Sequence, residues 1–134
     1  MSDGSYRPIL TIIDETHVLV TPRPNYMMRP QIDRMISVLG EVADERVRQH
    51  HKWQEQDHPN GTDDRDQNVH NANTAKWLTD AHAKAGTLTW RDILDEEVQE
   101  AFAEHDPPRL RAELIQVAAV ASAWVEAIDR RDDA

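Results

Sequence analysis

The sequence predicts an all-α protein, a four-helix bundle that carries an N-terminal β-hairpin or extended appendage. Apolar residues recur at helical spacing through most of residues 31–134, interrupted by short polar or proline-containing stretches. Residues 1–30 lack that spacing and contain β-branched runs set between prolines. We therefore divide the chain into an N-terminal appendage, 1–30, and a helical domain, 31–134.

Composition excludes several classes of protein. The formal charge of −10 argues against a nucleic-acid polymer as partner, since that needs a basic surface. The chain has no cysteine, which excludes disulfides and thiolate zinc sites. We see no signal peptide, and the longest run of apolar and small residues, 117–125, falls far short of the roughly 20 that cross a bilayer. We expect a cytoplasmic protein without a membrane partner.

The appendage has the pattern of a β-hairpin. Residues 9–13 and 17–21 are rich in β-branched side chains, and the polar residues 14–16 between them fit a turn. A tail without a fold of its own is the alternative. Neither interpretation assigns the appendage a catalytic role.

Polar and helical stretches alternate in the middle of the chain. We predict a first helix over about 31–56 and a polar segment over 57–68, which is either a solvated connection, the favoured interpretation, or a lid. An alanine-rich helix follows over 71–85 and ends at Gly86. Thr89, with an acidic residue three positions later, begins the next helix.

Two further helices, over about 89–102 and 109–130, are separated by consecutive prolines. Helices joined by so short a connection usually pack antiparallel. The second helix carries a predicted core stripe at alternating steps of three and four residues: Leu110, Leu114, Val117, Ala121, Trp124 and Ile128.

Carboxylates stand at the borders of both apolar faces. Glu97 and Glu100 share one stripe of the first helix of this pair, and Glu113 borders the core stripe of the second, with Gln116 three residues further on. Like charges at the edge of a core repel unless a cation compensates them. Because carboxylate and amide oxygens are the ligands that Mg²⁺ prefers, with Mn²⁺ also possible, we predict a metal site formed by these four residues.

The spacing also resembles a known family. The pattern Glu96-Glu97-x-x-Glu100, then twelve residues, then Glu113-x-x-Gln116 resembles the EExxE…ExxD signature of the MazG-like all-α nucleoside triphosphate pyrophosphohydrolases, over roughly residues 33–131. The resemblance implies a MazG-like bundle in which Glu97, Glu100, Glu113 and Gln116 hold Mg²⁺ against nucleotide phosphates. This chain has Gln where the family has Asp at the last position, and an amide oxygen supplies no charge.

The first helix supplies candidate substrate-binding residues. Its end resembles the segment of a MazG-like subgroup that lines the nucleotide pocket. Arg46 and Lys52 are suited to phosphates and Gln49 or Gln56 to a base edge, while Trp53 suits base stacking and core packing equally.

These features predict an enzyme, a MazG-like nucleotide pyrophosphohydrolase. It would hydrolyse a nucleoside triphosphate or related nucleotide to the monophosphate and pyrophosphate, with Glu96 as the catalytic base. We also expect a homo-oligomer, a dimer or tetramer, because the last helix is apolar over more than half its circumference.

Two other functions are alternatives to this one. One is a non-catalytic helical module that binds nucleotide or metal, or serves interactions, with the same fold; Gln116 keeps it open. The other, a di-iron bundle, needs two Glu-x-x-His motifs on separate helices. Only Glu55-x-x-His58 is present, which counts against it.

Overall fold

The structure is a computed structural model that describes residues 9–14, 17–21 and 29–133. In it a β-hairpin is followed by four helices. The elements are β1 (Ile9–Asp14), β2 (His17–Thr21), α1 (Arg29–Trp53), α2 (Asp66–Ala85), α3 (Trp90–Phe102) and α4 (Pro107–Asp132). For the described part of the chain this confirms the mostly helical class with an N-terminal hairpin. None of the helices described is long and apolar enough to cross a membrane.

The chain divides into two compact units, Met1–Gln54 and Glu55–Ala134. Each unit is described by itself below. The expected domain boundary after residue 30 stays a prediction.

The first unit contains the hairpin and α1. β1 and β2 pair antiparallel, with Ile9 opposite Thr21 and Ile12 opposite Val18, and the register is irregular between Ile12 and Asp14. The β-branched residues that fill both strands favour this extended pairing. Of the predicted turn, residues 15 and 16 lie outside the described residues.

Helix α1 ends earlier than the sequence predicted. It closes at Trp53 rather than near residue 56, because Gln54 takes a left-handed conformation with φ of +60°. The backbone N–H of Gln54 still donates to the carbonyl of His50 at 2.8 Å, the hydrogen bond of a helix end. Along the helix, Ile32 and Val38 are buried.

In the second unit, α3 lies between its two neighbours and packs against both α2 and α4. The buried side chains here are Ala75, Ala101, Leu110 and Ala127, three of them alanines. Alanine at a helix contact lets two backbones approach closely. This close approach is what brings side chains at the edges of the contacts together.

Polar contacts fix the start of α3 against α2. The hydroxyl of Thr79 donates to the carbonyl of Asp92 at 3.2 Å. His82 Nδ1 lies 2.9 Å from Asp92 Oδ2, a short polar contact between α2 and α3. His82 beside it, with hydrogen bonds from Thr89, lowers the pKa of Asp92.

Helix α2 begins at Asp66, five residues before the predicted start at residue 71. The side chain of Asp63 stabilises this early start, because it accepts hydrogen bonds from the Arg65 backbone at 3.1 Å and from Asn68 at 2.8 Å. The hydrogen bond from the Arg65 side chain, more than any other contact, lowers the pKa of Asp63 to about 2. At the other end Gly86 has φ of +73°, which confirms the predicted glycine stop.

Helix α4 corrects part of the predicted core stripe. Leu110 is buried, but Leu114 is 51% exposed and Ile128 is 43% exposed. The buried side chain near the end of the helix is Ala127, which lies on a neighbouring stripe. The physical reason is that α4 packs against α3 along one side, so the far edge of its wide apolar face stays uncovered.

Candidate metal centre

Three carboxylates from α3 and α4 converge in the second unit. One oxygen each from Glu97, Glu100 and Glu113 lies within 4.8 Å of the other two, and all three side chains are half-buried. We call these three residues the acidic cluster. The convergence that the spacing predicts for them is therefore present.

Local structure at the helix ends places these carboxylates. Thr89 and Asp92 form a capping box, as predicted: the Thr89 hydroxyl accepts from the Asp92 N–H, and the Asp92 carboxylate accepts from the Thr89 N–H. At α4, Asp106 accepts from the Arg109 N–H at 3.2 Å just ahead of the prolines that open the helix. With both starts fixed, the register of α3 against α4 sets Glu113 beside the glutamates of α3.

The acidic cluster contains charge that the described residues do not neutralise. Oε2 of Glu97 and Oε2 of Glu113 are buried and accept no hydrogen bond. Burial, and then the Glu113 carboxylate, raise the pKa of Glu97. Burial, and then the Glu97 carboxylate, likewise raise the pKa of Glu100. Buried oxygens without donors are costly, and a bound cation would satisfy them.

The sequence did not predict that a lysine, Lys76, would affect the acidic cluster. Lys76 on α2 acts on Glu100 and weakly opposes the rise in its pKa. Its neighbour Ala75 is 4% exposed and lies at the contact of α2 with the rest of the unit. Alanines such as Ala75 indicate that α2 packs closely against another helix. They do not indicate which residues of that helix lie opposite Lys76.

Glu96 and Gln116 flank the acidic cluster. Glu96 is half-buried, and its charge contributes to the raised pKa of both Glu97 and Glu100. Gln116 is exposed, about one helical turn after Glu113 on α4. The catalytic role of Glu96 and the ligand role of Gln116 stay predictions.

The predicted substrate-binding residues are exposed or half-exposed. Arg46 Nη1 donates to Gln49 Oε1 at 2.6 Å, and Lys52 Nζ lies 4.7 Å from the centroid of the Trp53 ring. Trp53 is 56% exposed, so its side chain is not part of a core. These four residues belong to the first unit, and their relation to the acidic cluster stays a prediction.

Gln56 and the polar segment after it belong to the second unit. Gln56 Nε2 lies 3.4 Å from His58 Nε2. Further along, the Thr62 hydroxyl donates to the carbonyl of Glu104 at 2.7 Å, and the Asp63 N–H donates to the carbonyl of Phe102 at 3.2 Å. The polar segment thus satisfies backbone carbonyls at and just after the end of α3. These contacts favour a structural connection over a lid.

Comparison with known proteins found no matching family model, no matching curated protein and no matching solved structure.

Proposed function

We propose that the protein is a divalent-metal-dependent nucleotide pyrophosphohydrolase of the MazG-like type. The acidic cluster is the observation that carries this proposal. Its three carboxylates converge at the contact of two helices, and two of their buried oxygens have no hydrogen-bond partner among the described residues. Buried carboxylate oxygens normally have hydrogen-bond partners, because burying them without partners costs free energy.

The dimensions of the acidic cluster suit a small hard cation. Oxygen ligands at about 2.1 Å from Mg²⁺ are about 3 Å apart when adjacent and about 4.2 Å apart when opposite. The oxygens of the acidic cluster lie within 4.8 Å of one another, only slightly more than the separation of opposite ligands. Small side-chain rotations would therefore bring them to the distances of metal ligands. Mn²⁺ takes the same ligands at slightly longer distances. Glu97, Glu100 and Glu113 would hold the ion, with Gln116 as a neutral fourth ligand.

When bound, the metal would supply Lewis-acid chemistry, since it would neutralise the phosphates and polarise the phosphorus under attack. The chain's own residues would do the rest. Glu96 flanks the acidic cluster and would take the proton of the attacking water. By resemblance to the family, the bond from the α-phosphorus to the α–β bridging oxygen would break as the water oxygen bonds to that phosphorus. The products are a nucleoside monophosphate and pyrophosphate.

The nucleotide would also need contacts beyond its phosphates. Arg46 and Lys52 would meet phosphate oxygens, Trp53 would stack on the base, and Gln49 or Gln56 would contact a base edge. The exposed Trp53 ring supports stacking rather than core packing. A cytoplasmic location, where nucleotides are available, belongs to the same proposal.

A homo-oligomer, a dimer or tetramer, is part of the proposal as well. On α4 a stripe of exposed apolar residues repeats at steps of four and three: Leu114, Ala118, Ala121, Val125 and Ile128. This is the spacing by which one helix packs along another. A second copy of the chain would cover the stripe and remove it from water.

A second function rests on Gln116. Because its amide contributes no charge, the acidic cluster would hold metal and nucleotide less tightly than four carboxylates, and a binding module without turnover would result. Binding of a nucleotide with no release of pyrophosphate would favour this alternative.

The test is a panel of nucleoside triphosphates incubated with Mg²⁺ and assayed for pyrophosphate release. Wild type should release pyrophosphate from at least one of them, and EDTA should stop the reaction. Glu100→Gln should lose at least a hundredfold in rate, whereas Glu126→Gln, a carboxylate change on α4 outside the acidic cluster, should keep wild-type activity. No release by wild type, or wild-type rates in Glu100→Gln, would refute the proposed function.

A further inference from the structure

A cleft lies between the start of α3 and the end of α4, separate from the acidic cluster. Its volume is about 510 Å³. The residues that line it include two tryptophans, two arginines and two aliphatic side chains, namely Trp90, Trp124, Arg91, Arg131, Leu88 and Ile93. We call it the tryptophan cleft.

No residue of the acidic cluster lines the tryptophan cleft. Along α3, Trp90 precedes Glu97 by two helical turns, about 10 Å at 1.5 Å per residue. Along α4, Trp124 follows Glu113 by about three turns. The two sites therefore have separate walls, although they share the same pair of helices.

The charge in the tryptophan cleft is opposite to that of the chain as a whole. The protein carries a formal charge of −10, yet Arg91 and Arg131 both line this cleft. Neither forms an ion pair with a carboxylate of the described residues, whereas Arg48 pairs with Glu45 at 2.7 Å. Unpaired guanidinium groups are free to bind an anion by charge-assisted hydrogen bonds.

Asp95 is an acidic residue about one helical turn after Arg91 on α3. Together with Arg91 and Trp124 it lines a smaller adjoining cavity of about 230 Å³. Its Oδ1 accepts a hydrogen bond from Gln99 Nε2 at 3.3 Å, and it forms no ion pair with Arg91. The arginine side chains of the tryptophan cleft thus keep their charge uncompensated.

The tryptophans determine what else would bind there. Trp90 and Trp124 are both half-buried, so each keeps part of its indole accessible at the cleft. Indole faces stack on flat aromatic rings, and the aliphatic side chains of Leu88 and Ile93 add apolar contact. The volume lies within the range of small-molecule sites, about 300–1,000 Å³.

We propose that the tryptophan cleft binds a small molecule in which a flat aromatic ring is joined to an anionic group. The ring would lie against Trp90 and Trp124, and the anion would meet Arg91 and Arg131. A nucleoside monophosphate and an aromatic carboxylate share this chemistry. The proposal does not require metal at the acidic cluster or hydrolysis.

The experiment is calorimetric titration of the full chain in EDTA, which keeps divalent metal from the acidic cluster. Four probes separate the requirements: adenosine monophosphate, indole-3-acetate, adenosine and inorganic phosphate. We expect at least one of the two ring-bearing anions to bind at least tenfold more tightly than adenosine and phosphate. Binding of only one of them identifies the source of the ligand. The proposal is overturned if neither ring-bearing anion binds, or if adenosine or phosphate alone binds as tightly as the better of the two.

Adjacent arginines on α4 provide a matched pair of variants. Arg131→Gln should weaken binding of the successful probe about tenfold, because it removes a charge-assisted contact. Arg130→Gln removes the same charge one position away, from a residue that does not line the cleft, and should leave affinity unchanged. Equal effects of the two variants would contradict the site.

A measurement on the wild-type protein guards against a folding defect in the variants. The indole N–H signals of Trp90 and Trp124 should shift during the titration in an NMR spectrum, and that of Trp77 should not. Trp77 is 66% exposed on α2 and does not line the cleft, so it reports non-specific stacking. Equal shifts of the Trp77 signal and of the Trp90 and Trp124 signals would refute binding in the cleft.

Discussion

Replacing Glu97 with glutamine should stabilise the metal-free protein. The substitution keeps the shape of the side chain and removes one charge from a cluster whose oxygens lie within 4.8 Å of one another. At the upper end of that range two unit charges repel by about 0.9 kcal/mol even at the dielectric constant of water, and closer charges repel more strongly. Glu97 has two such neighbours, Glu100 and Glu113. Allowing for screening of these half-exposed groups, we expect a gain of about 1 kcal/mol.

The same substitution should reduce the dependence of stability on pH. Glu97 and Glu100 have a raised pKa in the folded protein relative to the ordinary value of 4.5, because burial and neighbouring carboxylates disfavour the charged form. Their favourable contribution is complete below pH 4.5 and is lost as pH rises through the raised pKa. Metal-free wild type should therefore lose stability as pH rises from 4.5 to 7, and Glu97→Gln should lose less.

The assay is unfolding by urea in EDTA at pH 5 and pH 7, followed by circular dichroism. Glu126→Gln is the control, a carboxylate change on the same pair of helices but outside the acidic cluster. At pH 7 we expect Glu97→Gln to unfold at higher urea than wild type, and the control to match wild type. A Glu97→Gln variant that is less stable than wild type at pH 7 would refute the repulsion on which the argument depends.

Three further predictions concern other parts of the molecule. Gln116→Asp should tighten Mg²⁺ binding in calorimetry, because a fourth carboxylate adds Coulomb attraction at the ion; weaker binding would exclude this residue as a ligand. Thr62→Val should lower stability by about 1 kcal/mol in thermal unfolding, since it removes the hydroxyl that donates to the Glu104 carbonyl at 2.7 Å, and an unchanged melting temperature would contradict that role. Light scattering at micromolar concentration should give the mass of a dimer or tetramer, and Leu114→Glu should reduce it; a monomeric wild type would remove the proposed oligomer.

Local rules explain why the sequence predicted much of the second unit. The capping box of Thr89 and Asp92, and the left-handed conformation of Gly86, depend on residues within one turn of each other. To predict that Glu97 lies near Glu113, one must also predict how two helices joined by a short connection pack together. Such a step is predictable because a connection of few residues leaves the helices few ways to pack.

The sequence did not predict features that depend on a partner far along the chain, and it also missed one local feature at the start of α2. Helical spacing identified the apolar face that contains Leu114 and Ile128, but spacing cannot say whether another element covers it, and both are exposed. The early start of α2 depends on the side chain of Asp63, in a run of polar residues typical of a loop. The effect of Lys76 on the pKa of Glu100 depends on the packing of α2 against α3. No local sequence pattern specifies that packing.

The most direct test of the central claim, that the acidic cluster holds a divalent cation, is calorimetric titration of metal-free protein with Mg²⁺ and with Mn²⁺. We expect saturable binding of either ion to wild type. Glu113→Gln should weaken it at least tenfold, because it removes a charged ligand from α4, and Glu126→Gln should leave it unchanged. Absence of binding to wild type, or equal affinity in Glu113→Gln, would contradict the assignment of the acidic cluster as a metal centre.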